Sequence, residues 1–168
     1  MSDFVPRSRS LCAGALVAVA LAAACDRAPL EGPPVLRPGR DVCAECGMSV
    51  MEDRCSAATL VDRDDGRGHL LFDDIGCMLD HERDGATPPP IARFVHDHAT
   101  GEWIEAERAV YLMSESIRTP MDSWLVARAT MDAARDAQAR HGGVVLGWSE
   151  LDTVRRQWLR DRRMPRKE

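Results

Sequence analysis

Read for the period of its apolar positions, the chain falls into three stretches. Residues 11–24 form an apolar run behind Arg7 and Arg9, too short to span a bilayer comfortably. Residues 26–40 show no period and are broken by Pro29, Pro33, Pro34, Pro38, Gly32 and Gly39, which predicts an extended tether. From Asp41 onward short apolar segments recur. Residues 55–62 read as a strand, 63–68 as a turn and 69–72 as a second strand, so this part is a hairpin. Asp73 or Asp74 can cap a helix from Ile75 to about Glu82, in which Ile75, Met78 and Leu79 stand at helical spacing. Gly85 and the prolines at 88–90 end it, and residues 91–96 form a further strand.

The same order returns in the second half. Residues 108–113 and 124–127 read as strands, 131–141 as an alanine-rich helix stopped by Gly142 and Gly143, and 144–146 as a strand. This repetition predicts an α+β fold of two related ββαβ units, about 41–98 and 103–148, packed as one domain. A last helix over 149–163 opens on Ser149 with Asp152 three residues on, and Leu151, Val154, Trp158 and Leu159 give it an apolar face suited to packing.

Composition narrows the function classes. The 168 residues are 29% charged and 45% hydrophobic, enough for a sizeable core. A net charge of -5 argues against a nucleic-acid partner or an anionic-membrane binding surface.

Residues 1–24 are expected to be a signal peptide, absent from the mature protein. They lead through Leu21, Ala22, Ala23 and Ala24 into Cys25, a sequence that resembles a bacterial lipobox, so Cys25 is the expected lipidation site. Residues 25–40 then serve as tether and 41–168 as the folded domain, held by lipid on the periplasmic side of a bacterial membrane, inner or outer. Asp26 resembles the inner-membrane retention residue of enteric lipoproteins.

With Cys12 lost and Cys25 lipidated, four of the six cysteines remain: Cys43, Cys46, Cys55 and Cys77. In an exported protein these could close two disulfides, in three possible pairings. Residues 41–51, however, place Met48 and Met51 beside Cys43 and Cys46. Thiolate and thioether together are soft donors, suited to Cu(I). On spacing alone the Cys43–Cys46 pair also fits a thiol:disulfide redox protein or a structural zinc or disulfide module. A closed zinc site must recruit Cys55, Cys77 or a histidine to reach four ligands. A redox pair normally opens a helix after a strand, whereas Gly47 follows here at once.

Cys77 falls in the first turn of a helix, where the dipole lowers a thiol pKa. Met121, beside Pro120 in a link between strands, suits ligation better than Met113 at a strand end or Met131 at a helix start. His96 and His98 alternate at a strand end and are secondary candidates with Cys43, Cys77 and Met51; His81 ends the first helix near acids. HExxH, GxSxG, Walker and GxGxxG signatures do not occur.

Four features taken in order resemble the NosL family, the copper-binding lipoproteins that accompany nitrous oxide reductase. They are the lipobox, CxxCGM at residues 43–48, FxDIGCM at 72–78 and a strand followed by TPM at 111–121. The resemblance implies paired ββαβ units, no enzymatic activity, and Cu(I) binding. It also implies delivery of copper to maturing nitrous oxide reductase through an associated ABC-type membrane complex. Cys46, Met48 and Met121 inherit the ligand role by position, with Cys43 or a histidine as a further donor. After TPM the family continues with glycine and small residues, whereas this chain has Asp122, Ser123 and Trp124, which bring charge and bulk to Met121.

Overall fold

The computed structural model describes residues 30–85 and 88–163, so the expected signal segment and Cys25 lie outside the described residues. Two antiparallel sheets carry the fold. The first runs β2-β1-β3-β4 and the second β6-β5-β7, with one helix inserted in each unit and a last helix across both.

In the first unit, β1 (Ala57–Arg63) and β2 (Gly66–Phe72) pair from Ala57↔Phe72 to Arg63↔Gly66, leaving only Asp64 and Asp65 to turn. The turn is tighter than the expected 63–68. Gly66, at φ +116°, accommodates the change of direction, and the cross-strand Arg67–Asp62 ion pair holds the last rungs. Helix α1 (Ile75–Arg83) starts where Asp74, in extended conformation, accepts a hydrogen bond from Gly76 N. β3 (Ala92–His96) returns beside β1. A fourth strand, β4 (Trp103–Glu105), pairs with β3; its three residues are too few to show a period. Asp97 makes that reversal by accepting from the amides of Ala99 and Thr100.

The second unit starts later than expected. Residues Ala106–Arg108 form a 3₁₀ turn, and Tyr111 donates its hydroxyl hydrogen to Ala106 O at 2.7 Å, so β5 is Val110–Met113. β6 (Leu125–Arg128) excludes Trp124, whose φ of +60° cannot continue a strand. Helix α2 (Met131–His141), capped by Thr130, and β7 (Val144–Leu146) complete the second ββαβ order. Two related ββαβ units in one α+β domain are therefore present, the first with an added edge strand.

Helix α3 is Trp148–Arg163, and Gly147 N donates to the Glu150 carboxylate at 2.8 Å. The acid that closes its first turn is thus Glu150, with Gly147 in the capping place expected for Ser149. One core joins both units and α3: Phe72, Ile75, Met78 and Val95 pack with Tyr111, Leu125 and Leu151. Full burial of each large apolar side chain stabilises by about 1.5–3 kcal/mol. Arg155 reaches from α3 to Asp80 of α1 at 2.9 Å while lying over Trp158, and Trp158 meets Trp124 edge-on. The last helix therefore braces α1 against the 119–124 segment. Among the described residues no helix is long and apolar enough to cross a membrane.

Candidate metal centre

Residues 39–50 fold back on themselves through Gly39 N to Val50 O, Val50 N to Asp41 O and Cys43 N to Met48 O, each 2.8 Å. Gly47, at φ +74°, turns the chain directly after Cys46 and donates its amide to Cys43 O. Ala44 N donates to Leu71 O at 2.8 Å, which seats the loop on β2. Asp41, buried, anchors its base by accepting from the backbone and guanidinium of Arg37.

β2 leads straight into the other half of the centre. Phe72 enters the core, Asp73 and Cys77 turn toward the loop, and the donor atoms of Cys43, Cys46, Asp73 and Cys77 all lie within 4.8 Å of one another. Cys43, Cys77 and Asp73 are 1%, 4% and 2% exposed, whereas Cys46 is half-buried, so one thiol faces outward from a closed group. The Cys46 thiol lies 3.7 Å from both Asp73 carboxylate oxygens.

Backbone amides are aimed at the sulfurs: Cys46 N and Asp73 N at Cys43, and Met48 N at Cys46. Such amides stabilise thiolates in a concavity. Cys77 donates its S–H to Cys43, which draws Cys43 down to about 6 and pushes Cys77 up. The helix start therefore does not make Cys77 the acidic thiol, as its position suggested; the proton it gives to Cys43 outweighs the dipole. Burial pushes Cys46 up to about 11. Cys55 is not in this group. It packs with Leu112, Ile117, Val126 and Ala137, and burial pushes its thiol up to about 12, as for an inert core cysteine. All four thiols are free.

Asp74 fastens the second unit to this centre. One carboxylate oxygen caps α1 at Gly76 N, 2.6 Å away, and the other accepts from Met121 N at 3.0 Å. Gly76 permits the approach, since a Cβ there would meet Ser123 Cβ at 2.6 Å. Thr119 Oγ1 accepts from Ser123 N and Trp124 N, shaping a bend in which Asp122 takes φ +51°. Asp122 thus occupies a left-handed position that favours glycine, the residue expected there in the family.

The thioethers lie outside the buried group: Met121 is 36% exposed, Met48 47% and Met51 72%. No histidine is among the grouped donors of the described residues. His96 Nδ1 pairs with Ser56 Oγ at 2.7 Å and its ring stacks on Trp103. β1 separates its strand from β2, about 10 Å at ordinary strand spacing. His98 follows in the β3–β4 turn, its amide donating to Ala127 O. His81, one turn past Cys77, meets Glu45 at 3.0 Å. Residue-type reasoning missed Asp73 as a donor; the signal available was its place between a β2 end and a cysteine-bearing helix.

The NosL family profile matches residues 35–154. No curated protein matches the chain. Among solved structures, the copper chaperone NosL from Shewanella denitrificans matches with a TM-score of 0.62 at 16% identity, covering 73% of this chain and 96% of that one. That likeness establishes the fold.

Proposed function

We propose that this chain, which belongs to the NosL family, is a copper chaperone that holds Cu(I) and releases it to a copper enzyme, with no catalytic activity of its own. The observation that carries the reading is Cys46: its sulfur borders a buried group of soft donors, while the nearby Met48 and the clamped Met121 keep their thioethers exposed. One thiolate with two thioethers matches Cu(I), and few ligands at a surface let the ion leave by exchange with incoming sulfur or imidazole donors. The description of the Shewanella protein as a copper chaperone supports the same reading.

Nitrous oxide reductase, reached through an ABC-type maturation complex, is the recipient suggested by family membership. Lipid on Cys25 would hold the carrier at the periplasmic face of a membrane. Anaerobic competition of the reduced protein with a chromophoric Cu(I) chelator tests the site. Near-stoichiometric binding is expected, weakened by Cys46→Ser, Met48→Leu and Met121→Leu. Full affinity in the Met48→Leu/Met121→Leu variant would remove the thioethers from the ligand set. Rapid insulin reduction would favour the redox reading instead. Copper content of nitrous oxide reductase in cells with and without the chain tests delivery, and membrane partition of Cys25→Ser tests the anchor.

A further inference from the structure

Residues 30–36, within the stretch expected as a tether, lie against the fold. Exposure alternates along them: Gly32, Pro34 and Leu36 are half-buried, whereas Glu31, Pro33 and Val35 face solvent. One side of this extended segment therefore rests on the domain. Two contacts fix where it lies. Gly32, at φ +74°, bends so that its carbonyl accepts from His69 Nε2 at 2.8 Å, and the His69 ring is itself held edge-on to Phe94. Glu31 stands 3.8 Å from Arg67, an exposed pair that sets register more than stability. At the other end, Arg37 binds Asp41 through its amide and its guanidinium, two residues before Cys43. We propose that residues 30–36 are a docked strap that makes the chain leave the domain at the β1–β2 turn, so that the metal centre is presented away from the membrane.

Arg67 and His69 lie at the turn end of β2, and Asp73 follows its last residue. The six-residue step from Arg67 to Asp73 spans about 20 Å of strand, so the docked chain exits about that far from the centre. Cys25 and Leu30 are five residues apart, at most about 17 Å of chain. A lipid on Cys25 therefore keeps the turn end near the bilayer, and the opposite end, with Cys46 and the exposed Met48, faces outward. Without docking, the first fixed point of the chain is Arg37, bonded to the loop that carries the centre. The membrane would then be joined at the centre's own end, through twelve residues that reach at most about 40 Å. Docking thus reverses which end of the domain meets the lipid. Pro33 and Pro34 lower its cost, because a proline pair has little chain freedom to lose.

The direction of presentation rests on the proposed lipid at Cys25; the docking does not. Backbone order in the processed chain carrying Cys25→Ser is read in solution by NMR relaxation of the amides. Residues 31, 32, 35 and 36 should match β2, and order parameters below about 0.6 there overturn the strap. Orientation is read on the lipidated chain bound to phosphatidylcholine vesicles that contain a rhodamine lipid as energy acceptor. A fluorescent amino acid replaces either Asp64 in the β1–β2 turn or Ser49 in the loop of the centre, both exposed. Transfer should be greater from position 64 than from position 49. Gly32→Ala combined with His69→Ala, which strains the bend and removes its donor, should abolish or invert that order. Equal transfer, or more from position 49, with the strap unmodified overturns the presentation, and an order unchanged by the double substitution overturns the role of the strap. Failure to bind vesicles with residues 31–36 ordered refutes the anchor, and the presentation with it, but keeps the docking. Vesicle binding with these residues mobile refutes the strap and keeps the anchor.

Discussion

Removing the Asp74 carboxylate tests whether one buried side chain joins the two halves of the centre. Asp74→Ala deletes the cap of α1, a loss of about 0.5–2 kcal/mol. It also strips Met121 N of its acceptor in a part-buried setting, which costs about 1–3 kcal/mol more. The two losses share one side chain, so about 2–4 kcal/mol is expected in total. Asp74→Asn keeps one acceptor for Gly76 N but turns an amide toward Met121 N, so about half that loss is expected while the 119–124 segment loosens fully. Urea unfolding followed by tryptophan fluorescence reads the stability, with a midpoint shift of about 1–2 M for Asp74→Ala at an unchanged slope. Cu(I) competition reads the site: Asp74→Asn should weaken binding about as much as Met121→Leu, and combining them should add little further. If Asp74→Ala unfolds within about 0.5 kcal/mol of the unmodified protein, the clamp contributes nothing. Additive copper losses would show that Asp74 does not act through Met121.

Cu(I) must displace the proton of Cys46, which burial holds up to about 11, so affinity should fall about tenfold per unit as pH drops from 8.5 to 6.5, measured by chelator competition at each pH. A pH-independent affinity would mean that Cys46 is not a ligand. Burial lowers the His96 pKa, so the folded state binds its proton less readily than the unfolded chain. That contribution is present above the unfolded value near 6.5 and is lost as pH falls below it, by at most about 1.4 kcal/mol per unit; His96→Gln should flatten the stability profile between pH 7 and 5.5. Gly76→Ala raises intrinsic helix propensity by about 1 kcal/mol, yet its Cβ would meet Ser123 Cβ at 2.6 Å. A net destabilisation of about 1–2 kcal/mol is expected from thermal unfolding, and a stabilised variant would show that the segment yields freely.

Short apolar runs bounded by turn and capping residues made most elements legible: β1, β2, α1, β3, β5, α2 and β7 all overlap the spans that the sequence predicts. Errors fell where polar contacts set the chain. β4 has three residues and is created by the Asp97 turn. Trp124 is lost from β6 because hydrogen bonds to Thr119 hold it at φ +60°. The same division holds at the centre. Cysteines and methionines were visible by type and Cys46 by motif, but the pairing of Cys43 with Cys77, 34 residues apart, depends on Ala44 docking to Leu71. Asp73 could not be separated from Asp74 by residue type. Only the start of α1 assigns one to the donors and the other to the cap.

The two aspartates do opposite electrostatic things with the same chemistry, and this bears on how a carrier stays open without collapsing. Asp74 is fully buried yet satisfied by two amides, so it stiffens the join between the units whatever the metal state. Asp73 is equally buried but meets the thiols of Cys46 and Cys43, weak donors, so its charge is only weakly compensated. Rigidity is thereby placed one residue away from the unsatisfied charge. Two adjacent residues at the start of α1 thus divide the work, Asp74 holding the Met121 segment in place and Asp73 facing the thiols.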